Sequence, residues 1–225
     1  MQHYPLFVNL ENRHCLVVGA GGVGKRKIRS LIDSGAGRVT VIDTRPADAE
    51  LAHILGSGNV EFQCRPFQDQ DVDGKFLVIA CTSSDDVNSR IGNICNERQI
   101  LCNIADDPDM GSFIVPATFQ RGDLVLAVST SGKSPAMARR IRLELEDYFG
   151  DEYAFILTIM GRLRPLMLNL GMETKHNTAV FRKLVNSKLL EALKRQDLDA
   201  AQEILNESLP QPLHANIPEL LDGLV

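Results

Sequence analysis

Apolar residues in the first half of the chain fall in short runs separated by amphipathic stretches. That alternation predicts a sheet wound with helices. Strands are expected at Cys15–Val18, Arg38–Asp43, Val60–Cys64, Phe76–Ala80 and Ile100–Ala105. Phe76-Leu77-Val78-Ile79-Ala80 is continuously apolar, as a strand buried on both faces of a parallel sheet should be. Between the strands the spacing predicts helices over Val23–Ser34 (stopped by Gly35), over Ala47–Leu55, and from an N-cap at Ser84 to about Arg98. In the first helix Val23, Ile28, Leu31 and Ile32 can face the sheet. Lys25, Arg26, Lys27 and Arg29 then form a solvated basic face with a secondary role toward phosphates.

The pattern changes after Pro108. Ser112–Thr118 and Leu124–Ser129 are β-rich, and Phe119–Asp123 between them predicts a hairpin connection. Ser134-Pro135 opens a helix with an apolar stripe of Met137, Ile141, Leu145 and Tyr148. Helical segments follow near 153–170, 178–195 and 197–207, with Pro165 expected to kink or break the first and residues from Pro210 onward expected to be loosely held. The fold class is therefore α/β: a doubly wound, Rossmann-like parallel sheet over 1–111, a β-hairpin region over 112–150 and a small all-helical domain over 151–225. The last two would bury little core alone, which predicts completion by a second copy in a homodimer.

Gly19-Ala20-Gly21-Gly22-Val23-Gly24 follows the first strand directly and opens the first helix. Strand before, helix after and an acid about 20 residues on make this a dinucleotide-binding fingerprint, where the glycine string alone would be weak. Gly19 allows the tight turn, Gly21 a close approach to pyrophosphate, and Gly24 close helix–strand packing; the N–H groups of Gly22 and Val23 face the anion. Asp43 ends the second strand where an adenosine ribose would lie, with Thr44 beside it; a carboxylate there favours NAD over NADP. Arg45 weakens that preference by offering a partner for a 2′-phosphate. A strand–turn–helix without ligand and a solvated strand-end acid are the bland alternatives. Thr82 follows another strand end, so the fingerprint, Asp43, Thr82 and Asp106 should converge on one crevice.

With 225 residues, 44% hydrophobic and 24% charged, the chain is long enough for a nucleotide-binding domain plus a smaller partner. A net charge of −5 and 5% aromatics without Trp argue against nucleic-acid binding. The start lacks a signal-peptide pattern and no apolar stretch approaches the roughly 18 residues that span a bilayer, so a cytoplasmic protein free of membranes is expected. Five cysteines without a C-x-x-C pair and five scattered histidines predict reduced thiols and no resident metal site.

Two further constellations can carry chemistry. Asn103-Ile104-Ala105-Asp106-Asp107-Pro108 places Asp106 just past a strand end. If partly buried it would exchange protons with a substrate; a solvated Asp-rich turn is the equal alternative. Ser129-Thr130-Ser131-Gly132-Lys133-Ser134 leads into a helix amino terminus and can cradle an anion, with Arg139, Arg140 and Arg142 following within two turns. A capping loop and an exposed basic face are the alternative.

In these stretches the chain resembles the precorrin-2 dehydrogenase / sirohydrochlorin ferrochelatase family, the module at the amino end of bacterial siroheme synthases. The matching residues are Pro5-Leu6-Phe7, Cys15–Gly19 through Arg26-Lys27, Ala80-Cys81-Thr82 with Val87-Asn88, Cys102–Asp106, Ser112–Pro116, and Gly132–Pro135 with Ala138-Arg139. They run in order over roughly the first 150 residues. The resemblance implies NAD-dependent oxidation of precorrin-2 to sirohydrochlorin, a dimer formed through the hairpin region, and Asp106 as the general base. It places Asn103, Ser129, Thr130, Lys133 and Arg139 toward the tetrapyrrole. Arg142, Arg162 and Arg164 are further candidates for a basic wall against the substrate's carboxylates. Thr130 stands where the family's regulatory serine falls, so no phosphorylation role is carried over. The methyltransferase domain of the fused enzymes has no counterpart here, and methylation is expected of another protein.

Two rivals remain at this level. A bifunctional enzyme would also insert Fe²⁺ into sirohydrochlorin, sharing Asp106. A non-catalytic NAD-sensing module would use the same fold without needing that acid.

Overall fold

The computed structural model describes residues 3–56 and 58–224. The chain separates into two compact units, one ending at Val115 and one beginning at Pro116.

The first unit is a parallel sheet of β1 (His14–Val18), β2 (Arg38–Asp43), β3 (Val60–Cys64), β4 (Leu77–Ala80) and β5 (Leu101–Ile104) in the order β3-β2-β1-β4-β5. The order reverses between β1 and β4, so the loops after these two strands flank the switch point. Side chains alternate strictly. Cys15, Val17, Val39, Val41, Leu77 and Ile79 face α1 (Gly22–Asp33) and α2 (Ala49–Leu55), packing on Ile28, Leu31, Leu51 and Ile54. Leu16, Val18, Ile42, Val78, Ala80, Cys102 and Ile104 face α3 (Asp85–Glu97), through Ile91 and Cys95. Each fully buried aliphatic side chain contributes about 1.5–3 kcal/mol of transfer free energy, which fixes the register of β1, β2, β4 and β5.

The basic face expected of α1 holds only in part. Lys25 is buried, because Asp48 and Glu50 accept from its ammonium at 2.5 and 2.8 Å; Val23 is the residue left exposed. As expected, Ser84 caps α3, accepting from Val87 N–H at 3.4 Å.

The second unit opens with an antiparallel hairpin, β6 (Ala117–Arg121) and β7 (Leu124–Val128). Its connection is shorter and its first strand later than the sequence predicts. Pro116 has no N–H to donate and precedes the strand, whereas Gly122 turns the chain with φ +56° between the paired residues Arg121 and Leu124. Phe119 is therefore a buried strand residue stacked near Phe149, not a loop residue.

α4 (Pro135–Tyr148) starts as expected, with Ser134 Oγ accepting from Met137 N–H at 3.2 Å. α5 (Asp151–Asn169) runs unbroken through Pro165. The carbonyl that Pro165 leaves without a partner is that of Gly161, and both residues are exposed to solvent, which relieves the loss. The helix expected over 178–195 is two, α6 (Thr174–Val185) and α7 (Leu189–Lys194). Ser187 separates them, its hydroxyl accepting from Leu189 N–H at 3.1 Å.

α8 (Leu198–Ser208), a 3-10 turn over Gln211–Asn216 and α9 (Ile217–Leu221) complete the unit. The end is not loosely held: Leu213, Ile217 and Leu220 are buried in one core with Ile159, Leu163, Met167, Leu184 and Leu205. The helical segment thus has its own hydrophobic core, and the expectation that it needs a partner to supply one does not stand. Among the described residues no helix is long and apolar enough to cross a membrane.

Candidate functional site

The glycine turn is built by contact distances that exclude side chains. Gly19 has φ +97°, and a Cβ there would stand 2.5 Å from the Cys81 carbonyl oxygen. A Cβ on Gly24 would stand 2.0 Å from the Gly19 carbonyl oxygen. Gly21 and Gly22 are different: nothing lies within 4 Å of a Cβ on Gly22, and only the Arg45 guanidinium, at 3.7 Å, near one on Gly21. These two leave open space over the backbone, a cradle that side chains would fill. The first intrahelical bond is Lys25 N–H to Gly21 O at 2.9 Å, so the amides of Gly22, Val23 and Gly24 are available to an anion.

A cleft of about 350 Å³ opens at this turn, lined by Ala20, Gly21, Gly22, Asp43, Arg45 and Leu51 among others. Asp43 accepts from Ala20 N–H at 2.6 Å and from Arg45 N–H at 2.8 Å, with the Arg45 guanidinium 3.5 Å away. Burial pushes its carboxyl pKa up, but the two N–H donors and Arg45 outweigh that and hold it below the ordinary range. Thr44 is exposed beside it. Open backbone at the helix start and an ionised strand-end acid fit a dinucleotide.

The second half of the switch point follows β4. Burial pushes the Cys81 thiol up to about 12, with Lys27 opposing and Asp43 and Asp106 adding to the rise. The protonated thiol donates to Gly19 O at 3.1 Å. Both carboxylates therefore act on one thiol beneath the glycine turn.

The next residue, Thr82, is gripped by Asn88. The Asn88 Oδ1 accepts from Thr82 N–H at 3.2 Å and from its hydroxyl at 2.8 Å, and the Asn88 Nδ2 donates to Thr82 O at 3.1 Å. The same Nδ2 lies 3.3 and 3.4 Å from the two oxygens of Asp106. Gly19, Thr82, Asn88 and Asp106 thus form a continuous path of contacts. Asp106 is exposed, where the sequence left partial burial open.

Asn103 is 5% exposed; its Nδ2 donates to Phe113 O at 3.1 Å, while its Oδ1 is buried without a hydrogen-bond partner. Asn88 is the residue the sequence reading missed as part of the site. Its only signal was a place in a family-like stretch; an asparagine inside a helix otherwise looks like an ordinary polar residue.

In the second unit, the Thr130 hydroxyl donates to Ser134 O at 3.0 Å and accepts from Ser134 N–H at 3.1 Å, pinning the loop to the start of α4. Ser129 Oγ accepts from Ser131 N–H at 3.1 Å. Arg140 and Arg142 are taken by Glu144 and Glu146 at 2.8 and 2.5 Å. Lys133 and Arg139 are exposed, and among the described residues neither side chain has an ion-pair or hydrogen-bond partner. Besides Arg142, two more of the five expected wall residues are engaged within the protein. Arg162 donates to the carbonyls of Glu219, Leu220 and Asp222 at 3.0, 3.2 and 2.8 Å, and Arg164 lies over the Phe181 ring at 5.7 Å.

The chain is similar to known proteins over most of its length. A putative NAD(P)-binding family matches residues 6–117, and the sirohaem biosynthesis protein central family matches residues 121–148. The siroheme synthase of Enterobacter sp. (strain 638) is 34% identical over 215 residues, covering 95% of this chain and 47% of that protein. Siroheme synthase 1 of Aeromonas salmonicida (strain A449) is 34% identical over 225 residues, covering 99% and 47%. The chain spans about half the length of these curated relatives. Among solved structures, SirC, a precorrin-2 dehydrogenase, superposes with a TM-score of 0.75 at 25% identity, over 91% of this chain and 98% of that one.

Proposed function

The chain belongs to the precorrin-2 dehydrogenase / siroheme synthase family, and from that we propose that it oxidises precorrin-2 to sirohydrochlorin with NAD⁺. The observation that carries this reading is the path from Gly19 through Thr82 and Asn88 to Asp106, which sets a carboxylate beside a dinucleotide turn. NAD⁺, when bound, supplies the hydride acceptor. The amides at the start of α1 take the pyrophosphate and Asp43 takes the ribose hydroxyls. Asp106 accepts the proton that balances the hydride, so one precorrin-2 and one NAD⁺ give one sirohydrochlorin, one NADH and one H⁺. Thr82 and Thr44 border the cofactor, and Asn103 is assigned to the substrate side. Ser129, Thr130, Lys133 and Arg139 are assigned to the substrate's carboxylates, for which two uncommitted cations are suited.

A homodimer goes with this reading. Val125, Met137, Leu143 and Tyr148 on the hairpin and α4 are 40, 48, 45 and 68% exposed, an apolar surface suited to a second copy. Light scattering on the purified protein tests it, and a monomer at micromolar concentration would reject it.

The test of function is to mix the protein, NAD⁺ and precorrin-2 anaerobically and follow the absorption spectrum. Conversion by the wild type, lost in Asp106→Ala with NAD⁺ binding intact, is the expected result. Unchanged turnover in that variant removes Asp106 from the chemistry; no turnover in the wild type removes the reaction.

A further inference from the structure

Asn88 lies in the first turns of α3 and is 2% exposed. A buried carboxamide is costly unless its donors and acceptors are met, and here every partner is on the path between cofactor turn and acid. Thr82 N–H can only donate, so the atom facing it must be the Asn88 oxygen. That fixes the amide orientation and leaves the NH₂ group turned to Thr82 O and to both oxygens of Asp106. Among the described residues the Asp106 carboxylate has no other hydrogen-bond donor, and it sits on an exposed turn after β5. Without a tether a carboxylate in that place would spread over its rotamers.

We propose that Asn88 is a positioning residue for the proposed dehydrogenase reaction. It holds the Asp106 carboxylate in one orientation and references it to Thr82, the residue packed against the glycine turn. The inference rests on Asp106 being the base. If Asn88 only anchored the loop at Thr82, the contact with Asp106 would be incidental, and the two roles separate by substitution. Asn88→Asp keeps an oxygen to accept from Thr82 but removes the N–H donor and sets a like charge against Asp106. Asn88→Ala removes both halves.

The experiment uses the whole chain under anaerobic turnover, with NAD⁺ affinity from calorimetry and the melting temperature as a check of folding. For Asn88→Asp the expected result is a fall in kcat of about ten- to a hundred-fold, the scale of a misplaced catalytic group. KM for precorrin-2 and the Kd for NAD⁺ should stay within about twofold. The Asn88→Asp, Asp106→Ala double variant should be no slower than Asp106→Ala alone, since a residue acting only through Asp106 has nothing left to position. A kcat within about twofold of wild type in Asn88→Asp overturns the proposal, as does a further loss in the double variant or an equal loss of NAD⁺ affinity. If Asp106→Ala itself turns over normally, the base assignment falls and takes this inference with it. If Asp106→Ala is inactive while Asn88→Asp keeps a kcat within about twofold of wild type, only the positioning role falls.

Discussion

The Ala20 amide donates to Oδ2 of Asp43 at 2.6 Å, tying the glycine turn to the end of the neighbouring strand. Arg45 N–H holds the other oxygen at 2.8 Å, so both carboxylate oxygens are fixed by the backbone. Although burial acts to raise its pKa, these donors and the Arg45 guanidinium keep it depressed in the folded chain. A depressed folded pKa stabilises the fold above the unfolded value, about 3.9 for an aspartate, and that contribution is lost as pH falls through the folded value. Thermal melts between about pH 6 and 2.5 should therefore show an acid-side loss below about pH 4 that is smaller in Asp43→Asn, whose amide does not titrate. An unchanged acid limb would show that the bonds to Asp43 do not couple to folding.

In the proposed reading the same carboxylate sets cofactor choice. Removing it in Asp43→Ala leaves Arg45 as the charged group beside Gly21, free to meet a 2′-phosphate. The NADP⁺ to NAD⁺ preference, read as a ratio of kcat/KM values, should rise by at least about tenfold, one lost repulsive contact of roughly 1.4 kcal/mol. A ratio that does not move would mean that the ribose lies elsewhere.

Two glycines of one turn should respond in opposite ways. Gly24→Ala drives a methyl to 2.0 Å from a backbone oxygen, which cannot move aside without opening the helix–strand contact. A loss of about 1–3 kcal/mol in stability is expected, seen as a lower melting temperature with or without cofactor. Gly22→Ala meets nothing within 4 Å, so its melting temperature should hold. Its methyl occupies the open cradle instead, and NAD⁺ affinity should fall. Equal effects on both properties at both positions would contradict the turn geometry.

The features read directly from the sequence are those in which cause and effect are close in the chain. The glycine turn, the Asp43 strand end and the caps at Ser84 and Ser134 each depend on neighbours a few residues away. Continuous burial in β1, β2 and β4 likewise follows from the apolar runs. Burial of Lys25 is not legible in the sequence, because its partners, Asp48 and Glu50, lie 23 and 25 residues on, beyond any helical-face argument. Asn88 joins residues 82 and 106, and that link exists only once β4 and β5 are paired. Arg162 looked like a free cation because the carbonyls it caps are 57 to 60 residues away. The hairpin register slipped for a local reason: Pro116 delays the first strand, while Gly122-Asp123 needs only two residues to turn.

Arg162 provides a clean separation of structure from binding. Its guanidinium serves three carbonyls at the end of α9, and hydrogen bonds from a charged group are worth about 1.5–3 kcal/mol when lost. Exposure to solvent places Arg162 at the lower end of that range. Arg162→Ala should lower the stability of the helical unit in urea melts and leave KM for precorrin-2 unchanged in the folded fraction. A raised KM at full stability would return this residue to the substrate.

Lys133 and Arg139 should behave in the opposite way. Both are exposed and uncommitted, whereas Arg140 two turns into the same helical region is already paired with Glu144 at 2.8 Å. A polycarboxylate substrate gains charge-assisted bonds only from cations that need not first break an ion pair. Lys133→Ala and Arg139→Ala are therefore expected to raise KM for precorrin-2 by about tenfold each, roughly 1.4 kcal/mol, with smaller changes in kcat and none in NAD⁺ affinity. The wild-type KM should rise with ionic strength, and rise less in either variant, since salt screens a contact that the variant lacks. Arg140→Ala, with its charge spent within the helix, should leave KM within about twofold. If Arg140→Ala raised KM as much as Arg139→Ala did, a diffuse positive field would explain binding better than the two specific contacts assigned here.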